Sequence, residues 1–548
     1  MKTCVSFTGE FIVGIHKSHF TVNNFRENNY ISSLGLLPNG TDVNNKINFP
    51  DKIIKEYKSD NIIYEVANPF PFRGVTYIHS KWADKNAKNP EKICPYVKKS
   101  KSLSFTDNLN KFFKEEKITK KNFKKILKIM PRPLLIALAD TSSDTHELLE
   151  LAKISCSFVF DKNETPIGLC FIKDESNNYL PDIKDHTLFE ILANNRYLPD
   201  KYKEVMVLRP GIQGTSEILG EWKQPNKKSH IFEYLRENSY IPWGHFAANT
   251  ANDTVRYRVK ELSIYDMKGM RHLYYQRIYT ELAKQLDILI PGADKESIKS
   301  LSENQLEDIR LKIIKKLLSD NKPELKFNGS LWGWNFGFGY AQSGYRLNAS
   351  HQQIHQQYAM IPKTIKNSNN QNISTYASGD MIADFVKKYR KNSGKNFFEN
   401  YLKAIKTNKR IDNNNLKESS LIIFEDKNVI CFVPKAQTSQ WEIQLIPISK
   451  CGNILEADIK MRKSLDKAIL IALQTLEAFG AEMITSIEFS KRFDSKNTDQ
   501  QLLYSFLPKI PDSPTTFSQS QLRWITGHYP EDFAALLRTI VSNSAIKK

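Results

Sequence analysis

An internal repeat constrains the fold of this chain more than any other feature of its sequence. One copy starts near Ser239 and the other near Lys427. Both place a strand, a proline-containing link, a tryptophan-led strand, a loop and a long helix in the same order, and Trp243 and Trp441 occupy matching places. Because a repeated supersecondary unit builds similar halves, we predict an α+β fold with two halves related by pseudo-symmetry, each an antiparallel sheet that carries a long helix.

The helix of the second copy has the periodicity of a helix that packs on a core. Apolar residues recur in it at helical spacing: Leu465, Ala468, Ile469, Ala472 and Leu476. Side chains three and four residues apart lie on one face of an α-helix. We therefore expect this face to be buried.

A polar strand follows the first copy, within the segment Gln342 to Pro362 (QSGYRLNASHQQIHQQYAMIP). Gln353, His355 and Gln357 alternate along it, so they share one face of an extended strand. A neutral imidazole flanked by uncharged hydrogen-bond donors suits attack on phosphorus, because amides and hydroxyls hold phosphate oxygens without quenching the nucleophile. The same pattern also fits a polar strand on a sheet surface that carries no chemistry.

This segment resembles the active-site strand of the histidine-triad superfamily, and most closely its galactose-1-phosphate uridylyltransferase branch. That branch has the pattern Ser-x-x-His-x-His-x-Gln, and the same spacing here gives Ser350, Gln353, His355 and Gln357. The resemblance implies that His355 is the nucleophile that becomes nucleotidylated, and that Gln357 and Ser350 hold the phosphoryl oxygens. Gln353 stands where the family has its first histidine. The expected substrate contacts in the same segment are Gln342, Gly344, Asn348 and Gln353.

Residues 68–97 resemble the opening segment of the same family, with its Asn-Pro start followed by a strand and a basic stretch. Lys81 and Lys85 stand near the positions of the family's nucleotide-contacting arginines. Without the resemblance, solvated surface lysines would be the favoured interpretation of these two residues, over nucleotide contacts. With it, both are expected to contact the nucleotide.

Residues near the C-terminus resemble the family's closing segment, which contacts the hexose. Arg523 replaces a family lysine there and is the expected phosphate contact. His528 and Tyr529 are expected to present a different surface to the sugar. The sequence therefore does not support galactose as the substrate.

The family's zinc site is not preserved. Its four ligand positions fall on Cys94, Val97, Gln353 and the neighbourhood of Val255, so one possible ligand remains of four. A structural zinc site needs four ligands, and we therefore predict no metal there and no other cofactor. The six cysteines stand singly, without a Cys-x-x-Cys pair, which favours buried or inert thiols over a zinc knuckle or a disulfide framework.

The remaining stretches divide the chain into five parts. Residues 1–65 are predicted as an N-terminal extension, 66–200 as the family-like opening segment plus a helical insertion, 201–365 as the first half with the active-site strand, 366–415 as a linker, and 416–548 as the second half without a nucleophile. At the start of the third part, residues 204–208 are expected to form a strand.

Charge and hydropathy indicate which classes of partner the protein can have. The net charge of +19 and the pI near 9.3 suit polyanions, but the lysines are spread along the whole chain and no nucleic-acid recognition motif appears. We expect nucleotides and sugar phosphates as ligands, rather than nucleic acid. No apolar run approaches the roughly 20 residues that span a bilayer, and the N-terminus lacks a signal-peptide core, so a cytoplasmic protein without membrane contact is expected.

With the resemblance, these features predict a nucleotidyltransferase that acts on a nucleoside diphosphate sugar or a related nucleotide through a covalent nucleotidyl-histidine. Three alternatives stay open. Relatives with the same His-x-Gln strand are phosphorylases or hydrolases of dinucleoside polyphosphates or nucleoside diphosphate sugars. Gln353 also fits a nucleotide-binding protein without turnover, and the basic charge fits salt-sensitive binding of nucleic acid. The resemblance further allows a homodimer, since family members often complete their site from a second chain.

Overall fold

A computed structural model of the protein describes the greater part of the chain. The described residues are 2–17, 20–22, 33–43, 54–56, 62–93, 103–113, 117–173, 175, 177, 179–195, 197–207, 259, 262–291, 293–294, 297–298, 301–319, 324–337, 354–481, 483–509 and 516–543. Within these ranges, no helix combines the length and the hydropathy that crossing a bilayer requires.

The described part of the chain contains strands from its first to its last third, and almost all of them pair antiparallel. In chain order they are β1 (Gly14–Lys17), β2 (Phe20–Val22), β3 (Gly35–Leu36), β4 (Asp42–Val43), β5 (Ile54–Glu56), β6 (Ile62–Ala67), β7 (Val75–His79), β8 (Phe158–Phe160), β9 (Pro166–Leu169), β10 (Phe171–Lys173), β11 (Tyr179–Pro181), β12 (Ala293–Asp294), β13 (Ser297–Ile298), β14 (Phe327–Gly337), β15 (Ile354–Pro362), β16 (Thr364–Lys366), β17 (Asn372–Ser374), β18 (Ile422–Glu425), β19 (Val429–Phe432), β20 (Ile443–Pro447), β21 (Met483–Phe489), β22 (Leu503–Lys509) and β23 (Arg523–Thr526).

Helices separate the strands. In chain order they are α1 (Ser80–Ala87), α2 (Phe105–Phe112), α3 (Lys120–Ile129), α4 (Arg132–Thr141), α5 (Thr145–Ser155), α6 (His186–Asn194), α7 (Asp200–Val207), α8 (Ile264–Gln285), α9 (Glu303–Leu318), α10 (Ser378–Ser393), α11 (Phe397–Lys406), α12 (Ile459–Phe479), α13 (Thr516–Gln521) and α14 (Pro530–Asn543). Two 3₁₀ turns lie at Pro71–Arg73 and Pro90–Lys92.

The largest sheet has seven strands in the order β15-β14-β21-β22-β20-β19-β18, and every pairing in it is antiparallel. A long helix precedes an antiparallel strand pair twice along the chain: α8 precedes β14 and β15, with β12, β13 and α9 between them, and α12 directly precedes β21 and β22. Strands β14 and β21 pair with each other, so the described strands of the two predicted halves form one continuous sheet. The α+β class is confirmed. The pseudo-symmetry of the halves stays a prediction, because the expected strands of the first copy lie outside the described residues.

The second copy of the repeat has the predicted order. Strand β19 leads to Pro434, Trp441 precedes β20, and α12 follows. The side chain of Asp458 caps α12 by accepting a hydrogen bond from the amide of Met461, and Gly480 ends the helix with a φ of 120°. The apolar stripe predicted on this helix is confirmed, since all five of its residues are buried.

A smaller sheet has the order β1-β6-β7-β23 and joins the two ends of the chain. In it, β23 pairs parallel to β7, with Arg523 opposite Val75. The turn before β7 contains Gly74, whose φ is 102° and whose position for a Cβ lies 2.3 Å from the carbonyl oxygen of Leu522. Only glycine fits such a close approach of two backbones, so this residue allows the pairing of the two segments.

Two hydrophobic cores lie on the two faces of the seven-stranded sheet. The first contains α8, α12 and α14, and extends into the helical stretch of residues 103–207. The second contains the N-terminal residues, the smaller sheet, α10 and α11. Residues 366–415, predicted as a linker, contain these last two helices and contribute the buried rings of Phe385, Phe397, Phe398 and Tyr401. The segment is therefore part of the packed fold.

The prediction of a strand at residues 204–208 is wrong for residues 204–207, which the structure describes. Residues 200–207 form α7, in which Tyr202, Val205 and Met206 are buried at helical spacing. Tyr202 lies before the predicted strand, so the helical spacing becomes visible only when the sequence window includes residues before Glu204. The burial of the helix face outweighs the strand preference of the valines.

Candidate functional site

The strand that carries His355 lies at one edge of the seven-stranded sheet, as far as the described strands extend. Strand β15 pairs with β14, and the register places His355 opposite Asn335 and Gln357 opposite Gly333. The long antiparallel ladder fixes this register over nearly all of β15. The backbone of the predicted nucleophile is thus held by a rigid element.

Alternation along β15 shows which face of the sheet these positions occupy. Tyr358 and Met360 pack against the helix-side core, together with Trp332 on the neighbouring strand. Positions 355 and 357 alternate with them and so belong to the opposite face. The predicted sharing of one strand face by these two positions agrees with this register.

The sheet register extends the face of positions 355 and 357 across the neighbouring strands. The row of His355 continues through Asn335 to Thr485, and the row of Gln357 continues through Gly333 to Ile487 and Ser505. Polar positions are thus frequent on this face close to the edge. Gly333, which has no side chain, is the residue opposite position 357.

A buried polar network supports the sheet from the helix side. Arg271 of α8 is fully buried; its Nε donates to Asp466 Oδ1 at 3.1 Å and its Nη2 to the hydroxyl of Tyr504 on β22 at 2.8 Å. Glu488 of β21 accepts hydrogen bonds from the hydroxyls of Tyr274 at 2.8 Å and Tyr504 at 2.5 Å. These contacts tie both long helices to the strands behind the predicted site.

Burial dominates the electrostatics of this network. It raises the pKa of Asp466 and of Glu488, although the nearby Arg271 guanidinium favours their charged forms. Sequence reasoning missed the network. Its signal was an arginine within a helix segment otherwise rich in aromatic and apolar residues, YDMKGMRHLYYQRIY.

The predicted cations lie on α1 and on β23, two elements next to β7, and Arg523 stands opposite Val75, the residue of β7 farthest along the strand from α1. Lys81 and Lys85 are exposed on α1, which follows β7 directly, and Arg523 is exposed on β23, which pairs with β7. The fold therefore brings together two segments that are far apart in the sequence. Trp82, on the same helix, is 57% exposed and stacks on His79 with ring centroids 4.5 Å apart.

His528 and Tyr529 do not present the surface that was expected of them. The ring of His528 is buried and stacks on Trp441, with ring centroids 4.5 Å apart and planes 3° apart. Burial lowers its pKa to about 3. Tyr529 is also buried, and its hydroxyl donates to Asp84 Oδ1 at 2.9 Å. The expectation that both would face a sugar is wrong, because both belong to the packed core.

Several predicted site residues lie outside the described part of the chain: Ser350, Gln342, Gly344, Asn348, Gln353 and, from the metal comparison, Cys94. For His355 and Gln357 the structure describes the backbone. Within the described ranges, no group of three or more His, Cys, Asp or Glu side chains is arranged to hold a metal ion. The expectation that the family's zinc position is empty stays a prediction.

The cysteines that the structure describes are free, and four of them are buried: Cys4, Cys156, Cys431 and Cys451. Burial raises the pKa of Cys431 and of Cys451 to about 12. Thiols with such pKa values remain protonated and unreactive at neutral pH. The prediction of buried or inert thiols is confirmed for these residues.

Comparison with known proteins finds similarity to several solved structures. No protein-family model and no curated protein matches the sequence. Among solved structures, a GalT-like protein from Arabidopsis thaliana is similar with 16% identity and a TM-score of 0.30, covering 43% of this chain and 66% of its own. An ADP-glucose phosphorylase from Arabidopsis thaliana with bound ADP-glucose has 14% identity and a TM-score of 0.32, covering 52% of this chain and 69% of its own.

A uridylyltransferase structure is similar with 12% identity and a TM-score of 0.31, covering 44% of this chain and 69% of its own. A HIT-like protein involved in cell-cycle regulation from Bartonella henselae is covered over 95% of its length, with 20% identity and a TM-score of 0.17. The chain is thus similar to solved structures of GalT-like, ADP-glucose phosphorylase, uridylyltransferase and HIT-like proteins.

Proposed function

We propose that the protein is a nucleotidyltransferase that acts on a nucleoside diphosphate sugar or a related nucleotide through a covalent nucleotidyl-histidine. The observation that carries this proposal is the spacing of Ser350, His355 and Gln357, with the last two on alternate positions of β15. Their positions lie on the sheet face away from the long helices. A nucleophile on a paired strand is held in one orientation, as group transfer requires.

The proposed reaction is a double displacement. A nitrogen of the neutral His355 ring attacks the α-phosphorus, a phosphorus–nitrogen bond forms, and the bond to the bridging oxygen breaks to release a sugar phosphate or phosphate. An oxygen of a second phosphate-bearing acceptor then attacks the same phosphorus, and the imidazole leaves. Gln357 and Ser350 donate hydrogen bonds to the α-phosphate oxygens, and loss of one such donor typically costs on the order of 10²–10³ in rate.

Substrate contacts are assigned to two groups of residues. Gln342, Gly344, Asn348 and Gln353 belong to the segment that leads into β15. The exposed cations Lys81, Lys85 and Arg523 are assigned to the substrate's phosphates, because ammonium and guanidinium groups donate charge-assisted hydrogen bonds to phosphate oxygens. The proposal includes a homodimer in which a second chain completes the site.

The test is a mass measurement on the intact protein after incubation with a panel of nucleotides and nucleoside diphosphate sugars. We expect an added mass equal to one nucleoside monophosphate less one water, and an adduct that survives alkali and is lost in mild acid, as histidine phosphoramidates are. His355→Gly should abolish the adduct, whereas His351→Gln, a nearby histidine change, should retain it. An adduct that persists in His355→Gly would overturn the assignment of the nucleophile.

The acceptor distinguishes the related activities. Release of the adduct by a sugar 1-phosphate supports a transferase, release by inorganic phosphate a phosphorylase, and release by water a hydrolase. Saturable nucleotide binding without any adduct would instead support a catalytically silent nucleotide-binding protein, in line with Gln353 at the family's histidine position.

A further inference from the structure

A cavity of about 680 Å³ lies between the N-terminal residues, β1 and α10. Its volume is within the range of about 300–1,000 Å³ that is usual for small-molecule sites. Most of its wall is apolar and includes Phe7, Ile12, Ile15 and Phe385. Three of these side chains are more than half exposed: Phe7 at 53%, Ile12 at 55% and Ile15 at 60%. Apolar surface left open in a concave site is a feature of ligand binding.

Hydrogen bonds hold the wall of this cavity in place. The hydroxyl of Tyr389 on α10 donates to the carbonyl oxygen of Ser6 at 2.8 Å, and Asn400 Nδ2 donates to the carbonyl oxygen of Phe7 at 3.1 Å. The rings of Phe7 and Tyr389 meet edge to face with centroids 5.3 Å apart. A ligand therefore does not need to order this wall on binding, which removes one cost of affinity.

The charges that line the cavity favour an anion. Lys2 and Lys388 both line it, and neither forms an ion pair with any described residue. The carboxylate on the wall, Glu65, is engaged with His16, whose Nε2 lies 2.6 Å from Glu65 Oε2. Two ammonium groups without an ion-pair partner among the described residues thus stand beside an apolar pocket. Long lysine side chains place their charge at the solvent side of such a site.

We propose that this cavity binds an anionic amphiphile, a small molecule with an apolar chain or ring and one carboxylate or similar acidic group. The apolar body lies against Phe7, Ile12, Ile15 and Phe385, and the acidic group pairs with Lys2 and Lys388. This binding is separate from the proposed nucleotidyl transfer and does not involve His355.

The probe is decanoate below its micelle concentration, with decylammonium as the control of equal chain length and opposite charge. Affinity is measured by titration calorimetry on the full chain. We expect saturable binding of one decanoate, at least 10-fold tighter than decylammonium. Lys388→Glu should weaken decanoate binding at least 10-fold. Lys387→Glu, an exposed neighbour on α10 that does not line the cavity, should change it less than twofold.

Two further variants make the result specific. Ile15→Glu introduces a carboxylate at an exposed wall position and should abolish decanoate binding without lowering the melting temperature. His355→Gly should leave the decanoate affinity unchanged, which separates this site from the proposed function. No saturable binding, equal affinity for the cationic control, or equal effects of Lys388→Glu and Lys387→Glu would overturn the proposal.

Discussion

Two buried histidines give this protein a defined response to acid. Burial lowers the pKa of His528 to about 3 and that of His272 to about 4. His528 packs against Trp441, and His272 donates from Nε2 to the carbonyl oxygen of Leu301 at 2.9 Å. Both rings are therefore neutral in the folded state at pH values where an unfolded histidine is already charged.

We expect His528→Phe to reduce the loss of stability in acid. An unfolded histidine binds a proton below pH 6.5, while the folded ring binds one only near pH 3, so the unfolded state gains about 1.4 kcal/mol per pH unit between these values. Phenylalanine keeps an aromatic ring against Trp441 and does not titrate. Urea denaturation from pH 6 to 4 should show a shallower decline by that amount. Identical slopes in the two proteins would contradict the assignment.

At the scale of elements, a buried ion pair joins the two sheets. Arg73 Nη1, in the turn between β6 and β7, lies 2.9 Å from Glu442 Oε1, and its Nη2 donates to Thr438 and to Ser505 at 2.9 and 3.1 Å. Burial alone would raise the pKa of Glu442, but Arg73 and neighbouring donors hold it below the usual value. The carboxylate therefore remains charged inside the protein.

Removing one member of this pair leaves an uncompensated charge in the core. We expect Arg73→Met to lower the free energy of unfolding by about 3–5 kcal/mol. The double variant Arg73→Met, Glu442→Gln should recover more than half of that loss, as measured by chemical denaturation. Arg390→Met, which removes a solvent-exposed guanidinium that pairs with Asp499, is the control and should cost far less than Arg73→Met. Equal losses in the two single variants would refute the structural role of the pair.

The elements also show what sequence patterns reveal and what they miss. The stripe on α12 was predictable, because one periodic segment determines which face is buried. The burial of His528 was not, since it depends on Trp441 reaching the same place from a distant segment. The position of His355 on a paired strand followed from alternation. The parallel pairing of β23 with β7, the strand that precedes Lys81, has no local signal in the sequence.

At the scale of the whole molecule, one sheet separates two cores of different origin. The helix-side core comes largely from the two long helices, the inserted helical stretch and α14, whereas the other core unites the chain's N-terminal residues with the smaller sheet, α10 and α11. The proposed nucleotidyl site lies at one edge of the large sheet. The proposed amphiphile site is lined by other residues, from the N-terminal segment, β1 and α10.

The net charge of +19 leads to one further prediction for the whole molecule. Salt dependence distinguishes binding by surface charge from covalent reaction at His355. Binding of a nonspecific polyanion such as heparin should weaken steeply with salt, by about 10³-fold between 50 and 200 mM if at least six ion contacts form. The yield of covalent nucleotide adduct at saturating substrate should not change over this range. His355→Gly should lose the adduct and keep the heparin affinity. If instead the adduct yield falls with salt in parallel with heparin binding, the nucleotide is held by surface charge and the covalent mechanism is wrong.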